Sequence, residues 1–312
     1  MKFGLAVNAN ETVSEIVRKC VEAERLAIDY VWVPDVPVQL YAPTVASAVA
    51  ASTRKIRIGL GLLSVFLHTP VQIASSVSTL VEGYGERFEL CIGPGDRNLL
   101  KSVGIHLYHP TGVTGYLLTA KNQIEKILRK NRVKCRIWLG AQGPKTLEIS
   151  KFFDGVLLNY AHPDRVEWAV DKVGHVKRKD FQFGIFSSSY VYQDFDPKIF
   201  NLLRISSAII ALGASETVLE SLSLREKIAE AKRRLDTDTT LAKIIGQIPQ
   251  KTVELFSICE PSTELGKYLL VLSKSKIEHV VFGYPQNYSE ETVKALAHAL
   301  KDWRKNERHR KP

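Results

Sequence analysis

The stretch of this chain best suited to chemistry is Gly140-Ala141-Gln142-Gly143-Pro144. It follows a short apolar run, Cys135 to Leu139, that reads as a buried strand, and Pro144 then opens a helix at its first position, where a missing N–H costs nothing. Glycines in such a turn let the backbone approach a ligand closely. The helix start directs free N–H groups and a positive dipole end at it. That chemistry suits an anion, above all a phosphate. A strand-to-helix turn that needs glycine for geometry alone fits the same five residues. Gly93-Pro94-Gly95-Asp96 closes another apolar run and presents a carboxylate, and Asp35 ends a third.

These residues need elements to hold them. Apolar runs at Lys2–Val7, Tyr30–Pro34, Lys55–Leu60, Arg87–Ile92, Cys135–Leu139, Gly155–Asn159, Gln182–Val191 and Glu278–Gly283 read as strands. A helical pattern follows each. Thr12 with Glu15 forms a capping box before the first helix, and Thr69-Pro70 starts the third. Continuous Val/Ile/Leu runs are what burial on both faces of a parallel sheet demands. The expectation is a (β/α)₈ TIM barrel, residues 1–312 as one domain, with an enlarged helical connection, Pro197 to Pro249, between strands seven and eight. A doubly wound open sheet is the competing architecture.

In a barrel, function sits at the C-terminal strand ends. Those ends carry Asn8 and Asn10, Asp35, Gly61 to Ser64, Gly93 to Asp96, Gly140 to Pro144, Asn159, Ser187 to Tyr190, and Gly283 to Pro285. The set is rich in glycine and amides and has two carboxylates. It has no well-placed His–Ser or His–Cys pair. It suits holding a large planar cofactor and does not suggest covalent hydrolysis.

Composition narrows the classes further. The chain has 312 residues, 45% of them hydrophobic. No apolar run approaches the roughly 20 residues of a membrane span, so no membrane partner is expected and a cytoplasmic location is. Four cysteines lack metal-ligand spacing and read as buried thiols. His106 and His109 are close together but have no evident third ligand, and no metal is expected. The formal charge is +10, partly in the tail residues Arg304, Lys305, Arg308, Arg310 and Lys311. No aromatic-rich basic groove accompanies that tail, so a solvated terminus and no nucleic-acid partner are expected. Global positive charge draws in an acidic small molecule or cofactor.

Met1 to Gly4, Tyr30 to Asp35, Ile56 to Gly61, Cys91 to Asp96, Gly140 to Pro144, Asp154-Gly155 with Asn159, and Phe256-Ser257 together resemble the bacterial-luciferase-like superfamily of flavin and deazaflavin enzymes. Within it, the Gly-Pro-Gly-Asp and Gly-Ala-Gln-Gly-Pro pair resembles the methylenetetrahydromethanopterin reductase branch, which uses coenzyme F420. The resemblance implies hydride transfer between the reduced deazaflavin and a methylene group on a pterin-type substrate. It places the cofactor ring across the barrel mouth, backed by a bulge after strand three, where relatives hold a non-prolyl cis peptide that maps to Gly61-Leu62. Ser64 would touch the ring, and Gly140, Ala141, Gln142 and Gly143, with Asn159 behind them, would hold cofactor oxygens. Relatives associate through barrel helices, so a homo-oligomer is expected.

The chain departs from that pattern. The reductase branch has an acidic proton donor near the end of strand one, and Ala6 stands here. Val36 follows Asp35 where relatives often show histidine, and Leu63-Ser64-Val65 is more apolar than usual. Asp96 is the first candidate for a substitute acid and Asp35 the second. Two other activities fit the same residues: an FMN-dependent monooxygenase, and a cofactor-binding barrel that has lost catalysis.

Overall fold

Eight parallel strands close into a ring in the order β1 (Lys2–Ala6), β2 (Tyr30–Val33), β3 (Arg57–Ser64), β4 (Phe88–Gly93), β5 (Arg136–Ala141), β6 (Gly155–Leu158), β7 (Gln182–Tyr192) and β9 (Ile277–Gly283). Pairings β6–β7, β7–β9 and β9–β1 complete the closure. The computed structural model describes residues 1–235, 246 and 248–310. The barrel expectation is borne out and the open sheet is not.

One strand was not anticipated. β8 (Ser257–Pro261) lies between the seventh and eighth expected strands, beyond the helical stretch expected from Pro197 to Pro249. It pairs only with the far end of β7, Ser188 to Tyr192, above the closed ring. Amides of Ala161 and His162 donate to Leu255 O at 2.9 and 3.3 Å, which seats β8 over the end of β6 and raises the wall there. The five residues Ser-Ile-Cys-Glu-Pro have no strand pattern of their own, and only the overlong β7 gives them a partner.

Glycine makes room for large side chains inside the ring. A methyl on Gly4 would lie 2.9 Å from Trp32 Cδ1, and one on Gly59 would overlap the same indole. A methyl on Gly155 would lie 2.6 Å from Trp138, and one on Gly184 2.7 Å from Leu157. Below these rings, Glu89 is buried among donors. Its Oε1 accepts from the Tyr30 hydroxyl at 2.9 Å and the Arg57 guanidinium at 3.2 Å, and its Oε2 accepts from Trp138 Nε1 at 2.6 Å. His279 Nε2 accepts from Trp32 Nε1 at 3.0 Å. Burial holds His279 neutral, its pKa pushed down to about 3, with Arg136 and Lys2 adding to the effect.

The outer helices start where the sequence predicts. Thr12 and Thr69 form reciprocal capping boxes with Glu15 and Gln72. The connection after β7 begins with α8 (Pro197–Gly213), capped by Asp196, and continues through α9 (Glu216–Ser221) and α10 (Arg225–Leu235). Positions 236–245 and 247 of the expected helical stretch lie outside the described residues. In the basic tail, Arg304 is engaged, donating to Ala27 O at 2.7 Å and pairing with Asp29 at 2.7 Å. The side chains of Arg308 and Arg310, and Lys311, lie outside the described residues. Among the described residues, no helix is long and apolar enough to cross a membrane.

Candidate functional site

The C-terminal rim begins with a break in β3. Pairing to β4 shifts between Leu60 and Leu63, a bulge at the expected place, and the Gly61–Leu62 peptide is cis. The bulge turns Leu62 inward. Methyls on Gly93 or Gly140 would each overlap Leu62 Cδ1, so those glycines clear space for leucine. A methyl on Gly61 would lie 2.6 Å from Cys91 Cβ, so this glycine also answers to packing. Leu62 thus packs, like Phe186, against the interior group that includes Trp32 and Trp138, and forms an apolar platform at the mouth. Ala6 faces the same interior group and adds no polar atom. Ser64 is fully engaged: Oγ donates to Pro94 O at 2.7 Å and accepts from Phe66 N at 3.2 Å, fastening the bulge to the next loop.

The β5 turn divides in two. Gly140 and Ala141 are strand residues, Ala141 buried. Gly143 is the N-cap of α6 (Pro144–Ser150), and a methyl there would meet Ser215 Oγ only at 3.8 Å and Val218 at 3.9 Å. The turn is therefore covered by α9, and α6 has only 7 residues. Gln142 is the conspicuous member. Its side-chain Nε2 is buried with no hydrogen-bond partner, while its backbone carbonyl accepts from the Tyr160 hydroxyl at 3.1 Å. A buried amide N–H left unpaired costs about 1–3 kcal/mol, and a ligand oxygen would remove that cost. Asn159 sits beside the turn, its N–H donating to Ala141 O at 3.3 Å.

α8 crosses over this half of the mouth. It leaves β7 at Asp196, whose N–H donates to the Tyr190 hydroxyl at 2.6 Å, and is tied beneath by Ser207 Oγ to Ser257 Oγ at 2.5 Å. Its far end lands on the β4 loop, where Asn98 Nδ2 donates to Leu212 O at 3.3 Å. A methyl on Gly213 would lie 2.7 Å from Asp96 Oδ2. Asp96 itself caps α4 (Arg97–Ser102), its Oδ1 accepting from Leu99 N at 2.8 Å. The leading acid candidate thus stands at the rim as placed, with one oxygen in a helix cap and the other against α8. Lys232 of α10 donates to Ala214 O at 3.3 Å nearby; burial lowers its pKa, and Glu216 opposes that.

The open half, over β2 and β3, holds Asp35. Its Oδ1 accepts from Ala42 N at 3.1 Å at the start of α2 (Ala42–Ser52), and its Oδ2 lies 2.6 Å from His68 Nε2. The carboxylate is 3% exposed and the imidazole 15%. Asp35 is therefore committed to His68, a residue for which the sequence suggests contact with a cofactor tail or a place just inside a helix start, and no acid role. The two are 33 positions apart, on different loops, so no local spacing signals the pair. Glu89 was passed over, although a lone carboxylate within the apolar run Phe88–Gly93 is such a signal.

Comparison with known proteins agrees with the resemblance read from the sequence. Residues 1–115 match the sequence profile of the luciferase-like monooxygenase family. The chain is 28% identical to a 5,10-methylenetetrahydromethanopterin reductase of Archaeoglobus fulgidus, over 91% of this chain and 94% of the relative. Its fold is that of the coenzyme F420-dependent tetrahydromethanopterin reductase of Methanopyrus kandleri, with a TM-score of 0.78 and 22% identity over 95% of this chain and 96% of the other. An F420-dependent secondary alcohol dehydrogenase shares the fold at a TM-score of 0.66 and 13% identity, over 97% of this chain and 98% of that one.

Proposed function

We propose that the chain is an oxidoreductase that takes coenzyme F420 at the C-terminal mouth of its barrel and reduces a one-carbon unit carried on a tetrahydromethanopterin-type pterin. The observation that carries this reading is the buried, unpartnered Nε2 of Gln142, two residues beyond Gly140, which packs against Leu62 at the end of β5. A planar ring with oxygen acceptors fits both: the ring covers leucine, and an oxygen takes the amide proton. The reductase names of the relatives, across nearly the whole chain, support the same choice.

Bound there, the deazaflavin supplies the hydride. The chain's own residues do the rest. Leu62 would supply the apolar surface against which the ring lies. Gln142 donates to a cofactor or pterin oxygen, and Gly143 and Asn159 line the same edge. α8 shields the β4–β5 half from water, which strengthens each polar contact beneath it. Ser64 and Asp96 hold the loops that carry these groups. The reading includes a homo-oligomer, which light scattering of the purified protein checks.

An FMN-dependent monooxygenase is the second reading, favoured by the family profile over residues 1–115. Fluorescence titration with F420 and with FMN separates the two, followed by an assay of reduced F420 oxidation with methylene-tetrahydromethanopterin. Tight F420 binding with turnover is expected. Binding of FMN alone overturns the proposal, and F420 binding without turnover of any pterin leaves a barrel that has lost catalysis.

A further inference from the structure

We propose that Asp35 and His68 form a carboxylate–imidazole pair that delivers the proton the reaction needs at the barrel mouth. The inference rests on the hydride-transfer reading above and supplies the acid that reading lacks. Asp35 follows β2, and His68 lies between β3 and α3 (Pro70–Tyr84), its N–H donating to Ser64 O at 2.9 Å. Strands β2 and β3 are neighbours, paired up to Val33 and Leu60, so the two side chains meet above that seam beside the Gly61–Leu62 bulge.

The arrangement is that of an oriented acid. The 2.6 Å contact from Asp35 Oδ2 to Nε2 selects the tautomer and fixes the ring plane, and the Ala42 N–H on Oδ1 holds the carboxylate in turn. Asp35, nearly fully covered, cannot itself reach a substrate. Among the described residues nothing bonds His68 Nδ1. Asp35 and Tyr41, both from the connection after β2, are the titratable side chains in contact with the imidazole, the Tyr41 ring at 5.5 Å. Three other titratable rim groups already have partners. Asp96 caps α4 under α8, Glu11 pairs through Oε1 with Lys19 at 2.6 Å while its Oε2 is buried without a partner, and His109 bonds Thr111 at 2.8 Å. The end of β1 offers only Ala6.

In the step, His68 gives its Nδ1 proton to the amine nitrogen of the carbon–nitrogen bond that opens on the pterin. The bonding pair stays on that nitrogen as the N–H bond forms. The electron-poor carbon accepts a hydride from the reduced deazaflavin, forming its new C–H bond. The Asp35 carboxylate keeps its contact with Nε2 and holds the ring in place during the transfer. The neutral imidazole then regains a proton from water.

The test compares the wild-type protein with His68→Gln and Asp35→Asn. F420 affinity is first measured by fluorescence, and thermal melting confirms folding. His68→Gln is expected to bind F420 as the wild type does, to lose about 10² to 10⁴ in kcat with little change in KM, and to lose the alkaline fall of the kcat–pH profile. Asp35→Asn is expected to lose less and to retain that limb, displaced. In wild-type protein labelled with ¹⁵N-histidine, adding the pterin to the F420 complex should move the Nδ1 resonance of His68. That measurement stands even if a variant fails to fold. Unchanged kcat and pH profile in His68→Gln, or an Nδ1 signal indifferent to the pterin, overturns the proposal and leaves the pair as a tie between two loops. Failure of the wild-type protein to bind F420 overturns the functional reading itself, and the proton role with it.

Discussion

The floor and the rim of the barrel differ in how they hold buried polar groups. At the floor, both oxygens of Glu89 are taken up by Tyr30, Arg57 and Trp138, and His279 accepts the indole proton of Trp32, with Arg57 Nε the atom of that network left unpaired. At the rim, Gln142 Nε2 is buried without a partner, and His68 has one nitrogen bound and one open. Satisfied polar groups rigidify and specify a packed interior, whereas an unsatisfied one is tolerated where something else completes it. The Glu89 network holds the barrel, and Gln142 and His68 are the rim groups on which the proposed cofactor and proton roles rest.

The largest expected effect strikes the floor. Glu89→Leu leaves three donors unpaired in the interior and should cost roughly 3–5 kcal/mol in urea unfolding. A loss below about 1 kcal/mol would erase the contrast, since it would make the floor no more demanding than an exposed surface.

His279 gives the floor a pH signature. Its folded pKa of about 3 lies below the ordinary 6.5 because burial disfavours the cation. Between those values the unfolded chain holds the proton and the folded chain does not. Stability therefore falls as pH drops from 6.5 towards 3, and His279→Gln should make that slope shallower by one proton. An unchanged slope would place a different group in control.

Paired glycine substitutions sharpen the comparison. Gly59→Ala drives a methyl into Trp32 and should cost about 1–3 kcal/mol. Gly143→Ala at the rim meets nothing closer than 3.8 Å and should stay within about 0.5 kcal/mol. Equal costs would show that both glycines serve packing.

The smallest stability effect, and the most diagnostic, belongs to Gln142→Ala. It removes an orphaned donor, so melting should barely change while the F420 Kd rises about tenfold, the worth of one hydrogen bond. Unaltered affinity would detach Gln142 from the cofactor.

Much of this was legible in the chain. Strand runs such as Tyr30–Val33 and Phe88–Gly93 announce two-sided burial, and Thr12 and Thr69 announce helix starts, because periodicity and capping act within a few residues. The rim was legible for the same reason, since each strand end is a position along the chain. The roles of the glycines were harder to read. Gly140 suggested an approach to a ligand, and it accommodates Leu62 from a bulge 78 positions earlier.

By itself, then, the sequence determined the alternating strands and helices, the strand ends that form the rim, and the residue motifs on that rim. Only the tertiary structure decided that β8 exists, that α8 crosses the mouth, that Asp96 is a helix cap, and that Asp35 holds His68. Local propensities depend on near neighbours in the chain and can be read along it. A hydrogen bond between loops on adjacent strands depends on closure of the ring, which no stretch of sequence contains.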